Sequence, residues 1–217
     1  MTVKREFYND EFYHVYNRGV DKRNIFKDYF DEQRFVRGSR IFRFLADPRG
    51  RSIERGDFAM DGEKLVDSVA YCLMPNHYHM LIKQCMEGGV SKYLSKLNNG
   101  YTKYFNIRWD RSGHLFEYRF KSEHISSDAY YLQVTHYIHA NPLVFFQKDW
   151  KEKGLKDPNT ALDFLLDYGK SSLGMYLDHG AELIKIGGDD LIHPMSGDEY
   201  RAAFLGYISG RQPAGLA

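Results

Sequence analysis

Residues 71–84 read YCLMPNHYHMLIKQ, two apolar runs enclosing Pro75, Asn76, His77, Tyr78 and His79. The bulky residues Met80 to Ile82 predict a buried strand, which the histidines open. Side chains alternate faces along a strand, so His77 and His79 point the same way. Their Cα atoms should lie about 6.5 to 7 Å apart, near enough for both imidazoles to converge on one ion. Imidazole is a common ligand of divalent cations. A His-x-His pair taken alone is more often one half-buried and one exposed histidine, so its meaning depends on the rest of the chain.

The remaining elements follow in order. FYHVYN at 12–17 is aromatic and β-branched and runs into Asn17, Arg18 and Gly19, the pattern of a first strand ending in a turn. Residues 28–45 predict a helix with Phe30, Phe35, Phe42 and Leu45 on its apolar face and Arg34, Arg37 and Arg40 outward. Residues 47–62, with Pro48, Gly50, Gly56 and Gly62 among charges, predict a loop, and 65–73 a strand feeding the histidine pair. Residues 91–109 predict a helix with a basic outer face, although Gly100 costs it about 1 kcal/mol relative to alanine. LFEYRFKSEHI at 115–125 alternates as a half-exposed strand does, and Ser126, Ser127 and Asp128 start a helix that must end near Pro142. Strand, helix, two strands, helix, strand, helix predicts an α+β domain over residues 1–150, with helices packed on a largely antiparallel sheet. Residues 151–217, richer in Gly, Asp and Lys, predict a C-terminal appendage with helical stretches at 161–168 and 198–208 and no recognisable chemistry.

Composition limits the partners. The 217 residues hold no run of about 18 apolar residues, and the start MTVKREFYNDEFY is too polar for a secretory signal. The expectation is therefore a cytoplasmic protein with no membrane partner. Cys72 and Cys85 lie in or beside apolar runs, as small hydrophobes do. A net charge of +1 does not announce nucleic acid, but 17 Tyr and 15 Phe interleave locally with Lys and Arg. Aromatic faces beside cations suit single strands, whose bases stack while phosphates pair with the charges.

The last helix of the domain gives the histidines their context. In HYIHANP, Tyr137 and Asn141 are four residues apart and share a helical face where the helix stops, offering a phenol nucleophile and an amide oxygen side by side. Here the chain resembles the single-tyrosine HUH nucleases, and among them the REP-associated tyrosine transposases of the insertion-sequence type. MPNHYHML matches the His-hydrophobic-His motif, with Tyr78 in the slot usually held by an aliphatic residue. YIHANP matches the YI-x-x-NP helix, GHLFEYRF the segment that begins with glycine and ends with arginine and an aromatic, and YHVYNRG the first strand. The likeness spans roughly residues 10–145, with a weaker echo in YGKSSLGMY at 168–176.

The resemblance implies a ferredoxin-like sheet whose central strand carries His77 and His79, with Tyr137 approaching from a helix. It implies Mg²⁺ or Mn²⁺ held by His77, His79 and Asn141, and attack of Tyr137 on a scissile phosphate to give a covalent 5′-phosphotyrosine. The expected partner is single-stranded or hairpin DNA, bound by a monomer or homodimer. Arg18, Lys92, Lys96, Lys103, Arg119 and Lys121 are candidates to hold its backbone, and Tyr101, Tyr104 and Tyr118 to stack its bases. The competing assignment for these is a solvated face for the cations and core for the aromatics. Two other functions are compatible with the residues: a domesticated hairpin-DNA binder that no longer cuts, and a hydrolase in which His136 and His139 join the other pair as zinc ligands and water attacks. His136 lies roughly 100° around the helix from Tyr137, which counts against the hydrolase.

Overall fold

The computed structural model describes residues 6–45, 63–178 and 195–210. Its centre is a four-stranded antiparallel sheet in the spatial order β2-β3-β1-β4. The strands are β1 (Phe12–Arg18), β2 (Val66–Met74), β3 (His77–Gln84) and β4 (Lys121–Ile125). Helix α1 (Tyr29–Ile41) follows β1, α2 (Gly89–Arg108) follows β3, and α3 (Asp128–Ala140) follows β4. The sequence order β-α-β-β-α-β with this strand order is the ferredoxin-like arrangement expected from the sequence. The predicted loop at 47–62 lies outside the described residues.

Strand parity sorts the side chains into two cores. Tyr78, Met80 and Ile82 of β3 join Tyr13 and Val15 of β1 under α1 and α2. The alternate residue Leu81 joins Ala70, Cys72 and Met74 of β2 under α3. Each fully buried apolar side chain contributes roughly 1.5 to 3 kcal/mol, so both faces of the sheet hold β3 in register. Tyr78 fits its buried slot because its hydroxyl donates a 2.8 Å hydrogen bond to Asn98 Oδ1 of α2. A buried phenol with a partner costs little, which accommodates the departure from an aliphatic residue there.

Close approach requires glycine at position 19 and favours it at position 100. A Cβ on Gly19, at the end of YHVYNRG, would collide with the Arg23 carbonyl and the Ile25 side chain. Gly100 sits inside α2 because Phe42 packs against it, with an added Cβ only 3.2 Å from the ring.

Two expectations need correction. Helix α1 stops at Ile41, and Phe30, placed on its apolar face, is 67 % exposed, lying instead under the Arg108 guanidinium. Only Lys121–Ile125 of the stretch 115–125 is a strand. Before it, the Asn17 side-chain amide donates to the carbonyls of Tyr118 and Arg119, and Asn98 also donates to Arg119. Together with backbone bonds from Val20 to Leu115 and from Glu117 to Arg18, these side-chain bonds satisfy a bent backbone while Leu115, Phe116 and Phe120 stay buried.

Beyond α3, the chain forms α4 (Leu143–Phe146), α5 (Trp150–Lys153), α6 (Pro158–Tyr168), α7 (Leu173–Asp178) and α8 (Gly197–Ile208). Trp150, Leu162, Leu165, Leu173, Tyr176, Tyr200 and Phe204 share a core with β2 and α3. Backbone bonds from Leu73 to Lys170 and from Ser172 to Tyr71 extend the edge of the sheet. The C-terminal segment thus covers an exposed edge strand and forms a third layer beneath the sheet.

Candidate active site

His77 and His79 stand on the α3 side of β3, their ring centroids 5.1 Å apart and their planes at 87°. Register adds neighbours that their sequence spacing does not show. Tyr16 of β1 is directly opposite His79, and His14 is diagonal to it. Glu123 of β4 is directly opposite His14. Five polar or aromatic side chains from three strands therefore share one patch of sheet.

Each histidine engages its Nδ1. His77 Nδ1 lies 2.6 Å from Asn76 Oδ1, and the Asn76 amide nitrogen donates to the Lys22 carbonyl. Since Asn76 presents an acceptor, the His77 proton belongs on Nδ1, leaving the Nε2 lone pair outward. His79 Nδ1 lies 2.9 Å from His14 Nε2. Both imidazoles are kept neutral. Burial and the Arg18 charge push His77 down to about 4. Burial, then His14, His77 and Lys151, hold His79 well below the usual histidine range. Burial lowers His14 to about 4 against the opposing pull of Glu123. Neutral imidazole is the form that binds a metal.

Tyr137 approaches from α3. Its ring centroid is 5.5 Å from that of His79 and 5.9 Å from that of His14. The helix is set by the Ser127 cap and ended by Asn141, whose side-chain amide donates 2.8 Å to the Tyr137 carbonyl. That bond uses the amide nitrogen and leaves Oδ1 as an acceptor. Burial and Glu123 raise the Tyr137 pKa, while a hydrogen bond from Asn141 acts in the opposite direction. Within one chain, Tyr137 thus packs against His79, and His79 against His77.

Among the described residues no three His, Cys, Asp or Glu side chains are grouped to hold a metal. His14 is occupied with His79, so an ion at His77 and His79 would complete its coordination with Asn141, water or phosphate oxygens. Two imidazoles with an amide oxygen, water or phosphate oxygens make a mixed nitrogen–oxygen donor set open to a divalent first-row cation.

Two cavities flank His79. The first, about 300 Å³, is lined by His14, Tyr16, His79, Glu123, Tyr137 and Tyr207 among others. The second, about 230 Å³, is lined by Arg18, His77, His79, Tyr118 and Lys121 among others. Of the predicted DNA-contacting residues, the fold gathers Arg18, Tyr118 and Lys121 beside the histidines. Lys92, Lys96, Lys103 and Tyr104 lie on α2, across the sheet from them. Arg119 is exposed, and its carbonyl is taken by Asn17 and Asn98. Tyr101 cannot stack on a base: it is 3 % exposed and its hydroxyl is bound to the Ile25 carbonyl. Its helical spacing belonged to the core.

His136 and His139 also lie away from the metal candidates. His139 is fully buried between Tyr200, 2.7 Å from Nδ1, and Ser172, 2.8 Å from Nε2. His136 packs against the rings of Tyr200, Phe204 and Tyr207. These histidines dock the C-terminal helices, which removes the four-histidine zinc site.

Sequence reasoning missed His14, Tyr16, Glu123, Lys151 and Tyr207. The alternation of His14 and Tyr16 within YHVYNRG was a readable signal. Lys151 was not readable: its Nζ lies 4.9 Å from the centre of the Tyr137 ring, but α5 reaches that place only through the packing of the C-terminal layer.

Residues 60–141 match the family described as Transposase IS200 like. Among solved structures, a REP-associated tyrosine transposase bound to a REP hairpin superposes with a TM-score of 0.52 at 15 % identity, covering 90 % of this chain and 96 % of that one. No curated protein matches the sequence. The family match and the shared fold bear out the likeness read from the motifs. Among the described residues, no helix is long and apolar enough to cross a membrane.

Proposed function

We propose that the protein is a metal-dependent single-stranded DNA endonuclease and strand transferase that works through Tyr137. The observation that carries this is the placing of Tyr137 against His79, which in turn packs against His77, with the Nδ1 atoms of both histidines engaged. The transposase match over 60–141 supports the same reading, and the hairpin held by the solved structural neighbour makes hairpin DNA the first substrate to try.

A phenol has an ordinary pKa near 10 and is a weak nucleophile at neutral pH. Mg²⁺ or Mn²⁺ bound by His77, His79 and Asn141 would supply Lewis acidity to the scissile phosphate. The Tyr137 oxygen forms a bond to phosphorus as the bond to the 3′ oxygen breaks. Tyr137 gives up its hydroxyl proton, and the departing oxygen takes one up as a 3′-OH. Lys151 sets a cation over the Tyr137 ring, where negative charge develops, and Arg18 and Lys121 hold the strand beside the histidines. The phosphodiester energy stays in the phosphotyrosine, so a 3′-OH can attack it, rejoin a strand and return the proton to Tyr137. A tyrosine suits strand transfer better than degradation for this reason.

The test is incubation with hairpin oligonucleotides and Mn²⁺ or Mg²⁺, followed by denaturing electrophoresis and mass mapping. An adduct at Tyr137, absent with Tyr137→Phe and after chelation, is expected. Tight binding with no adduct across varied hairpins would favour the domesticated binder.

A further inference from the structure

The geometry points to His14 and Glu123 as positioning residues that fix the tautomer of His79 and keep its Nε2 lone pair facing the Tyr137 site. This deepens the proposed function and rests on it for the purpose that the lone pair serves. The tautomer itself stands on contacts within the chain.

One hydrogen lies between His14 Nε2 and His79 Nδ1, which are 2.9 Å apart and buried. It has two placements. If His79 Nδ1 donates, then His79 Nε2 is a bare lone pair and His14, accepting at Nε2, carries its own hydrogen on Nδ1. If His14 Nε2 donates, His79 carries its hydrogen on Nε2, and His14 turns a lone pair on Nδ1 outward. The neighbour of His14 Nδ1 selects between them. Glu123 Oε2 is 3.9 Å away, beyond hydrogen-bond length but near enough for its charge to favour an N–H over a lone pair. The carboxylate is held there, because the Tyr16 hydroxyl donates to Oε1 and the Tyr130 hydroxyl to Oε2, each at 3.2 Å. Glu123, His14 and His79 thus form a line of one polarity across β4, β1 and β3, ending at a lone pair. Histidine ligands are commonly oriented by a carboxylate or carbonyl on the other ring nitrogen. Here a second imidazole carries that influence across a strand, while Asn76 performs the same task directly for His77. Simple filling of the core would be met by an apolar residue at position 14, as Phe12 does two residues earlier on the same face.

The test uses the full chain, free of metal, with ¹⁵N-labelled histidine. Long-range ¹H–¹⁵N spectra should show His14 and His79 both protonated on Nδ1. Glu123→Gln offers an amide donor to His14 and should shift both rings toward Nε2–H. Titration with Mn²⁺ should then show affinity about 10- to 100-fold weaker for Glu123→Gln and His14→Phe. His14→Gln, which keeps an acceptor for His79, should recover much of the loss. Finding His79 protonated on Nε2 in the unaltered protein would overturn the inference. So would Mn²⁺ affinity within twofold of the unaltered protein for both folded variants. Failure of the unaltered protein to bind Mn²⁺ would instead sink the proposed metal-dependent function, with the tautomer spectra still deciding the roles of His14 and Glu123.

Discussion

The Nζ atom of Lys151 lies 4.9 Å from the centre of the Tyr137 ring, so a residue of α5 places a cation over the candidate nucleophile. The same charge helps keep His79 neutral. If Lys151 steadies the phenolate and the charge gathering on phosphate, Lys151→Gln should slow adduct formation by about 10- to 100-fold. Lys151→Arg should retain most of the rate. Single-turnover adduct formation on a hairpin oligonucleotide measures this, and an unchanged rate for the glutamine variant would place Lys151 outside the chemistry.

Tyr118 and Tyr101 were alike as stacking candidates, and the fold separates them. Tyr118 is 64 % exposed beside Lys121, in the cavity that holds His77 and His79. Tyr118→Ala should weaken single-strand binding by about 1 to 3 kcal/mol. Tyr101→Phe should leave affinity unchanged while lowering stability, since it removes the partner of a buried carbonyl. Fluorescence anisotropy and denaturant unfolding on both variants distinguish the outcomes. Equal losses of affinity would contradict the assignment.

His139 ties the helix of Tyr137 to the C-terminal layer through two hydroxyls. His139→Ala takes that link from Tyr200 and Ser172 and opens a cavity, at a cost of about 2 to 5 kcal/mol. Denaturant midpoints should fall accordingly, and Zn²⁺ should not change the difference between the two proteins. Stabilisation by Zn²⁺ that disappears with His139→Ala would restore the zinc reading.

Acid should destabilise the metal-free protein before its carboxylates titrate. His14 and His77 are held near 4, and His79 well below 6.5, chiefly by burial. Unfolded, each binds a proton near 6.5; folded, it does so only at lower pH. The unfolded chain therefore holds more protons between about pH 6.5 and 4, and stability falls as pH falls through that window. Thermal midpoints in a chelator should be level above about pH 7 and decline from 6.5 toward 4.5. A flat profile over that range would show that these histidines are not buried neutral.

Local pattern made much of this protein legible. Alternation around His77 and His79 put them on one face, helical spacing put Tyr137 beside Asn141, and Ser127 and Pro142 bounded their helix. These depend on backbone periodicity, which a short segment carries by itself. What lay beyond reach depends on which segments become neighbours. Tyr101 and Tyr118 have the same chemistry, and only the layer each occupies makes one core and the other surface. His14 gains its place beside His79 from strand register, and His136 and His139 lose a metal role because α8 packs on them. Tertiary structure decided these points because hydrogen bonds and burial act over a few ångströms of space, while Glu123 is 109 residues from His14 along the chain and Tyr200 is 61 from His139.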